Sequence, residues 1–314
     1  MLMILVLHAR FDGILTVYDG SIDLSHITQF SFEALSIVGV NLFILISGYW
    51  GINLKRGRVV KLLFQIYFFG LLALAGWLCS QGTWDVEKRF YIKALFPVSQ
   101  TIWFIPNYVM LMLFSPALNV FVEKYSIRYI VSFTLVLYAL AYWWNTVFPT
   151  VAGFGGYSWG WFLILYLTGR VIRNYTDRHA INWRYALLGY ILGTFMLVGL
   201  AIMQNFYPFG KSLIWSYDFP LIYLSSICLF LCFVKLDIGY SRVINWLAAS
   251  AFAVLLLHVS PFCRYNEICK SIYEHYSGIS CVLLTALYIM AIYLTATIID
   301  QLRLFLYKRI PFSK

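Results

Sequence analysis

Apolar runs of about twenty residues alternate with short polar or basic connections from one end of the chain to the other. They fall at roughly 1–18, 31–51, 60–80, 101–122, 128–147, 158–173, 185–204, 216–234, 244–262 and 280–302. About twenty apolar residues is the length a helix needs to cross the hydrocarbon of a bilayer. Within a membrane the backbone must satisfy its own hydrogen bonds, which selects helices for such runs. The pattern therefore predicts an all-α, polytopic membrane protein with about ten transmembrane helices. No low-complexity tract, linker or internal repeat interrupts the series, so residues 1–314 read as a single membrane domain.

Composition agrees with the pattern. Of 314 residues, 62% are hydrophobic and 11% are charged, and the mean hydropathy is +0.79. A soluble domain is nearer half apolar and a quarter charged. The 24 Tyr, 26 Phe and 11 Trp suit a chain with two membrane interfaces to occupy. The net charge of +10 does not point to nucleic acid, because Lys and Arg lie between apolar runs and form no basic domain. The first run has no basic lead-in and no small-residue cleavage site, so no cleavable signal peptide is evident.

The basic residues also orient the chain. With a cytoplasmic N-terminus, one set of connections holds Lys55, Arg56, Arg58 and Lys61, then Lys124 and Arg128, then Arg170, Arg173, Arg178 and Arg184. Lys235, Arg242, Arg303, Lys308, Arg309 and Lys314 follow on the same side. The opposite side holds only Lys88, Arg89, Lys93, Lys211, Arg264 and Lys270. Cytoplasmic connections are enriched in Lys and Arg, so both termini are expected inside. Six cysteines are present, without a CxxC pair. Cys228 and Cys232 suit helix packing. Cys263 and Cys269 share one short connection, where pairing would require an oxidising side.

Ionisable groups at membrane depth are costly and usually face protein or a wet cavity. His8, Arg10, Asp12, Glu33 and His258 are the informative ones. An imidazole can take or give a proton near neutrality, so His8 is a candidate base. Burial alone favours the plainer reading, a buried histidine bonded to a neighbouring helix. His258 carries the same two readings, as a substrate-pathway residue or a structural hydrogen-bonder. Arg10 and Asp12 suit a solvated or ion-paired role.

The second run, FSFEALSIVGVNLFILISGYWG, ends in Ser47-Gly48-Tyr49 and leads into Lys55, Arg56, Arg58 and Lys61. That cluster is either ordinary cytoplasmic anchoring or a cradle for an anionic ligand. Further on, Trp103-Phe104 opens a segment that closes in Ser115-Pro116 and Asn119.

Taken in order, these pieces resemble the acyltransferase 3 family of integral membrane acyltransferases, especially bacterial sugar and polysaccharide O-acetyltransferases. The resemblance runs over nearly the whole chain. It rests on a first-run His, N-x-F-x-x-x-SGY with a basic segment, a WF element closing in SP-x-x-N, and a late L-x-H. It implies transfer of an acetyl group from acetyl-CoA, taken from the cytoplasmic side, to a hydroxyl of a cell-surface glycan or lipid-linked sugar. Acetyl-CoA would be a donor substrate, with no resident cofactor and no metal. The partners implied are acetyl-CoA, the glycan acceptor and the lipid bilayer, and the location is a bacterial plasma membrane.

Carried over, His8 matches the family His. Asn41, Phe43, Ser47, Gly48 and Tyr49 match the second-run motif, Lys55, Arg56, Arg58 and Lys61 match the donor-associated segment, Trp103 and Phe104 match the WF element, and His258 matches the late His. Glu33 is the candidate to orient a His or bind a sugar hydroxyl. The family pattern also places an Arg about ten residues before the His, which would fall upstream of Met1. That leads to the expectation that the natural reading frame starts earlier.

The rival reading from the residues alone is a transporter of a glycan intermediate or an acyl group. Transporters also carry midplane charges, but often with inverted repeats or paired broken helices. A non-catalytic scaffold would leave His8 and the basic cluster unexplained.

Overall fold

The computed structural model describes residues 1–9, 22–81, 102–148, 155–207, 214–260 and 263–309. Arg10, Asp12, Lys88, Arg89, Lys93, Lys211 and Lys314 lie outside the described residues. Helix accounts for 83% of the described residues and none lies in a strand. In chain order the helices are α1 Leu2–His8, α2 Leu24–Ser36, α3 Gly39–Trp50, α4 Arg56–Gln81, α5 Phe104–Lys124, α6 Ile127–Val147 and α7 Trp159–Thr176. They continue with α8 Trp183–Phe206, α9 Pro220–Lys235, α10 Arg242–Ala249, α11 Ala251–His258, α12 Tyr265–His275 and α13 Gly278–Arg309.

Local chemistry fixes where these helices start. Ser126, Ser158, Asn182 and Ser241 each accept a backbone N–H of the first turn that follows, and Asp23 closes a capping box with His26. Such caps satisfy donors that a helix start leaves orphaned. Pro220 opens α9, where a missing N–H costs nothing. Pro116 lies inside α5, and its missing N–H would strand the Met112 carbonyl. The Ser115 hydroxyl donates to that carbonyl at 2.8 Å, so the helix continues.

Six helical stretches among the described residues are long and apolar enough to cross a membrane: 26–50, 56–79, 104–124, 127–147, 183–206 and 278–309. The expected count of about ten is not confirmed among the described residues. The expected run 244–262 is two eight-residue helices, α10 and α11, interrupted at Ser250. The run 216–234 forms only the sixteen-residue α9, about 24 Å long at 1.5 Å per residue. The run 158–173 forms α7, which carries Arg170 and Arg173 and buries Trp161, Phe162, Ile164, Leu165 and Tyr166 in protein. Of the run 1–18, only α1 lies within the described residues. The run 31–51 contains a bend at Ile37-Val38, between α2 and α3.

The chain divides into two compact units. The first comprises Met1–Asp12, Lys55–Pro106 and Gly239–Lys314; in it α11 packs on α4 and α13, and α1 and α12 pack on α13. Its interior holds an ion pair, with the Arg303 Nε donating to Asp300 Oδ1 at 2.6 Å. Both side chains are almost wholly buried, and Gln65 and Ser250 also donate to the Asp300 carboxylate, at 3.0 and 3.1 Å. Ser250 thus spends its side chain at the interruption between α10 and α11.

The second unit comprises Gly13–Leu54 and Asn107–Ile238. In it α3 packs on α7 and α9, α8 packs on α2 and α9, and α6 packs on α7. The α3–α7 crossing is made by two glycines. A Cβ on Gly169 would stand 2.5 Å from the Leu45 carbonyl oxygen and 2.7 Å from the Tyr49 nitrogen, and one on Gly48 would strike the Tyr166 backbone. Close backbone approach of this kind is how membrane helices gain packing energy.

Candidate active site

In the first unit His8 ends α1 and His258 ends α11. The His8 Nδ1 and His258 Nε2 lie 2.8 Å apart. The other nitrogen of His258, Nδ1, sits 2.8 Å from the Val254 carbonyl oxygen one turn back. A carbonyl can only accept, so Nδ1 of His258 carries the hydrogen. In the neutral ring Nε2 of His258 is then the acceptor, and Nδ1 of His8 must donate to it. That leaves Nε2 of His8 as the nitrogen with the lone pair. The helix backbone at Val254 therefore sets the tautomer of both rings.

The pair is held in place by α12. The Tyr265 hydroxyl donates to the Leu5 carbonyl at 2.8 Å and the Tyr273 hydroxyl to the Ala9 carbonyl at 3.2 Å. The Tyr265 ring meets His258 edge-on at 5.5 Å and stacks on Tyr288 at 5.4 Å. α1 ends at His8, and these two tyrosines bond carbonyls on either side of it. His258 is 3% exposed whereas His8 is half-buried, so His8 is the more accessible member of the pair. Cys263 and Cys269 are free thiols, and Cys269 is buried.

Lys55, Arg56, Arg58 and Lys61 lie at and before the first turns of α4, all exposed. Trp103 is half-buried ahead of α5 and Phe104 is its buried first residue, with their rings edge to face at 6.1 Å. These residues also belong to the first unit.

Glu33, Asn41, Ser47 and Tyr49 belong to the second. Asn41 is wholly buried. Its Nδ2 donates to the Tyr217 carbonyl at 2.9 Å and to Ser226 Oγ at 3.1 Å, and its Oδ1 accepts from Trp161 Nε1 at 3.0 Å. Three helices and the Tyr217 segment meet on this one amide. Ser47 Oγ donates to the Phe43 carbonyl at 3.0 Å and lies 3.3 Å from the Tyr108 hydroxyl. Tyr49 Oη is 3.4 Å from Thr176 Oγ1, and the Arg173 guanidinium sits 5.0 Å over its ring and 5.1 Å over that of Trp50. Ser47-Gly48-Tyr49 is therefore a helix-crossing element. Its middle residue must be small, and its flanking side chains bond or stack on neighbours. Half-buried Glu33 lies on α2, near enough to the Tyr217 phenol to act on it electrostatically.

Sequence reasoning missed several residues. Tyr265 and Tyr273 left no signal beyond being aromatic. Asp300 and Arg303 did leave one: opposite charges three apart at the end of an apolar run, a spacing that places them on one helix face. Among the described residues no group of three His, Cys, Asp or Glu side chains is arranged to hold a metal ion.

The family model for the acyltransferase domain matches residues 1–306. The chain belongs to the acyltransferase 3 family, and with its apolar helices it is a membrane acyltransferase. No curated protein and no solved structure matches it.

Proposed function

We propose that this acyltransferase moves an acetyl group from acetyl-CoA to a hydroxyl of a cell-surface glycan or lipid-linked saccharide. The proposed setting is a bacterial inner membrane, with both termini in the cytoplasm. The observation that carries the reading is the His8–His258 hydrogen bond with its backbone-fixed tautomer.

Transfer from a thioester to an alcohol requires removal of the hydroxyl proton as the oxygen attacks the acyl carbon. His8 Nε2 takes that proton while the new C–O bond forms. The C–S bond then breaks, and the proton passes to the departing thiolate to give free CoA. During the step His8 is an imidazolium, and the neutral Nε2 of His258 accepts from its Nδ1–H throughout. His258 is thus a positioning residue, keeping the ring aimed and the lone pair on Nε2 of His8.

The exposed Lys55, Arg56, Arg58 and Lys61 are suited to the phosphates of CoA. Glu33, Trp103 and Phe104 suit sugar recognition, which uses polar tips and flat apolar faces. Asn41, Ser47 and Tyr49 contribute by setting the helix frame. The test is chemical analysis of surface glycans from cells with and without the gene. A base-labile acetyl ester present only with the gene supports the reading, and identical glycans in both contradict it.

A further inference from the structure

In the second unit α3 is capped by Gly51, whose φ is +75°, and the next residue is tied on both sides. The Ile52 N–H donates to the Tyr166 hydroxyl at 2.9 Å, its carbonyl accepts from Asn119 Nδ2 at 3.0 Å, and Tyr166 donates to Asn119 Oδ1 at 2.6 Å. Every partner in this ring is neutral and matched. Above it lies the guanidinium of Arg170: a Cβ on Gly51 would stand 2.9 Å from its Nη1. Gly51 therefore both makes the turn and leaves room for the cation.

Arg170 Nε is sealed from solvent and has no hydrogen-bond partner. Among the described residues no carboxylate pairs with Arg170. Its neighbour Arg173 differs, being paired with Asp177 at 3.1 Å and stacked on two rings. An unmatched buried donor on a cation costs more than a neutral one, and a partly buried guanidinium without an anion is an incomplete arrangement. Its planar fork matches phosphate oxygens.

We infer that Arg170, over the Gly51–Ile52 turn, is a phosphate-binding residue whose occupant is a phosphate of the CoA donor. This rests on the donor reading above and adds to it a site that the exposed basic cluster does not include. An anionic lipid headgroup presents the same chemistry, so the experiment separates the two sources.

Purified wild type, Arg170→Gln and Arg170→Lys are placed in nanodiscs of phosphatidylcholine alone or with phosphatidylglycerol, and CoA binding is measured by calorimetry. Thermal unfolding without CoA is followed in both lipids. The expected result is CoA affinity at least about tenfold weaker for Arg170→Gln in neutral lipid, with a smaller loss for Arg170→Lys and unfolding profiles like wild type. CoA affinity unchanged in both folded variants overturns the donor assignment. If phosphatidylglycerol raises the melting temperature of wild type but not of Arg170→Gln, the occupant is lipid. If wild type binds no CoA, the donor reading itself fails and the lipid comparison still decides whether Arg170 holds a phosphate. If both variants bind CoA and respond to phosphatidylglycerol as wild type does, the site is removed.

Discussion

Separated by 250 residues of chain, the rings of His8 and His258 share a hydrogen bond of 2.8 Å. The direction of that bond is dictated by a third group, the Val254 carbonyl. A histidine with one nitrogen committed to a neighbour and the other carrying the lone pair is arranged as a base. His8→Ala should therefore lower acyl transfer by about 10²- to 10⁴-fold, the usual contribution of a positioned base. His258→Gln offers a substitute acceptor to His8 and should lose less than His258→Phe. Turnover of acetyl-CoA by the purified variants checks the order, and wild-type turnover in all three would remove the pair from the mechanism.

Neutralising Arg56 and Arg58 together should weaken CoA binding more than acceptor binding, because both are exposed cations at the start of α4. Each lost charge-assisted hydrogen bond is worth about 1.5–3 kcal/mol. Calorimetry on the double variant decides it. Unchanged CoA affinity would assign the cluster to membrane topology alone.

The glycine crossing of α3 and α7 predicts a different kind of failure. Gly169→Ala places a methyl against the Leu45 carbonyl and the Tyr49 nitrogen, and overpacking of this kind costs about 1–3 kcal/mol. A lowered melting temperature in detergent is expected. Gly57→Ala, which meets nothing within 4 Å, is the control and should stay within about 0.5 kcal/mol of wild type. Equal melting of both variants would contradict the crossing.

Asp300 is the hub of the first unit, accepting from Arg303, Gln65 and Ser250. Asp300→Ala leaves the Arg303 cation buried and unpaired, at a cost of about 3–5 kcal/mol. The variant should accumulate poorly, and replacing Arg303 by Met in the same chain should restore part of the yield. Full yield of Asp300→Ala alone would show that the pair carries no structural weight.

Burial pushes the Cys269 thiol up to about 12 from its ordinary 9. The thiolate is the reactive form, and at pH 8 it would be roughly one part in ten thousand. A variant keeping only Cys269 should resist maleimide until unfolded, with reactivity rising as pH rises. Rapid labelling of the folded protein at pH 8 would contradict the burial.

Much of this was legible in the apolar pattern, because membrane helices announce themselves by length and hydropathy. The expected runs at 60–80, 128–147 and 185–204 became α4, α6 and α8 with ends shifted by a few residues. The run 244–262 misled because an interruption at one serine does not disturb hydropathy; only the Asp300 carboxylate, about fifty residues away in the chain, reveals why Ser250 sits there. His8 and His258 stood out singly as titratable groups in apolar runs. Their pairing did not, since it depends on the packing of α1, α11 and α13. Ser47-Gly48-Tyr49 stood out as a motif, but its close approach to Gly169 is a relationship no local pattern could show.

In the proposed function, His8 drives acetyl transfer to a sugar hydroxyl. The most direct measurement is the O-acetyl content of surface glycans, by NMR before and after mild base, in cells lacking the gene and supplied with wild type or His8→Ala at equal membrane abundance. The account predicts a base-labile acetyl ester with wild type and its loss with His8→Ala. Full O-acetylation by the His8→Ala protein would contradict it.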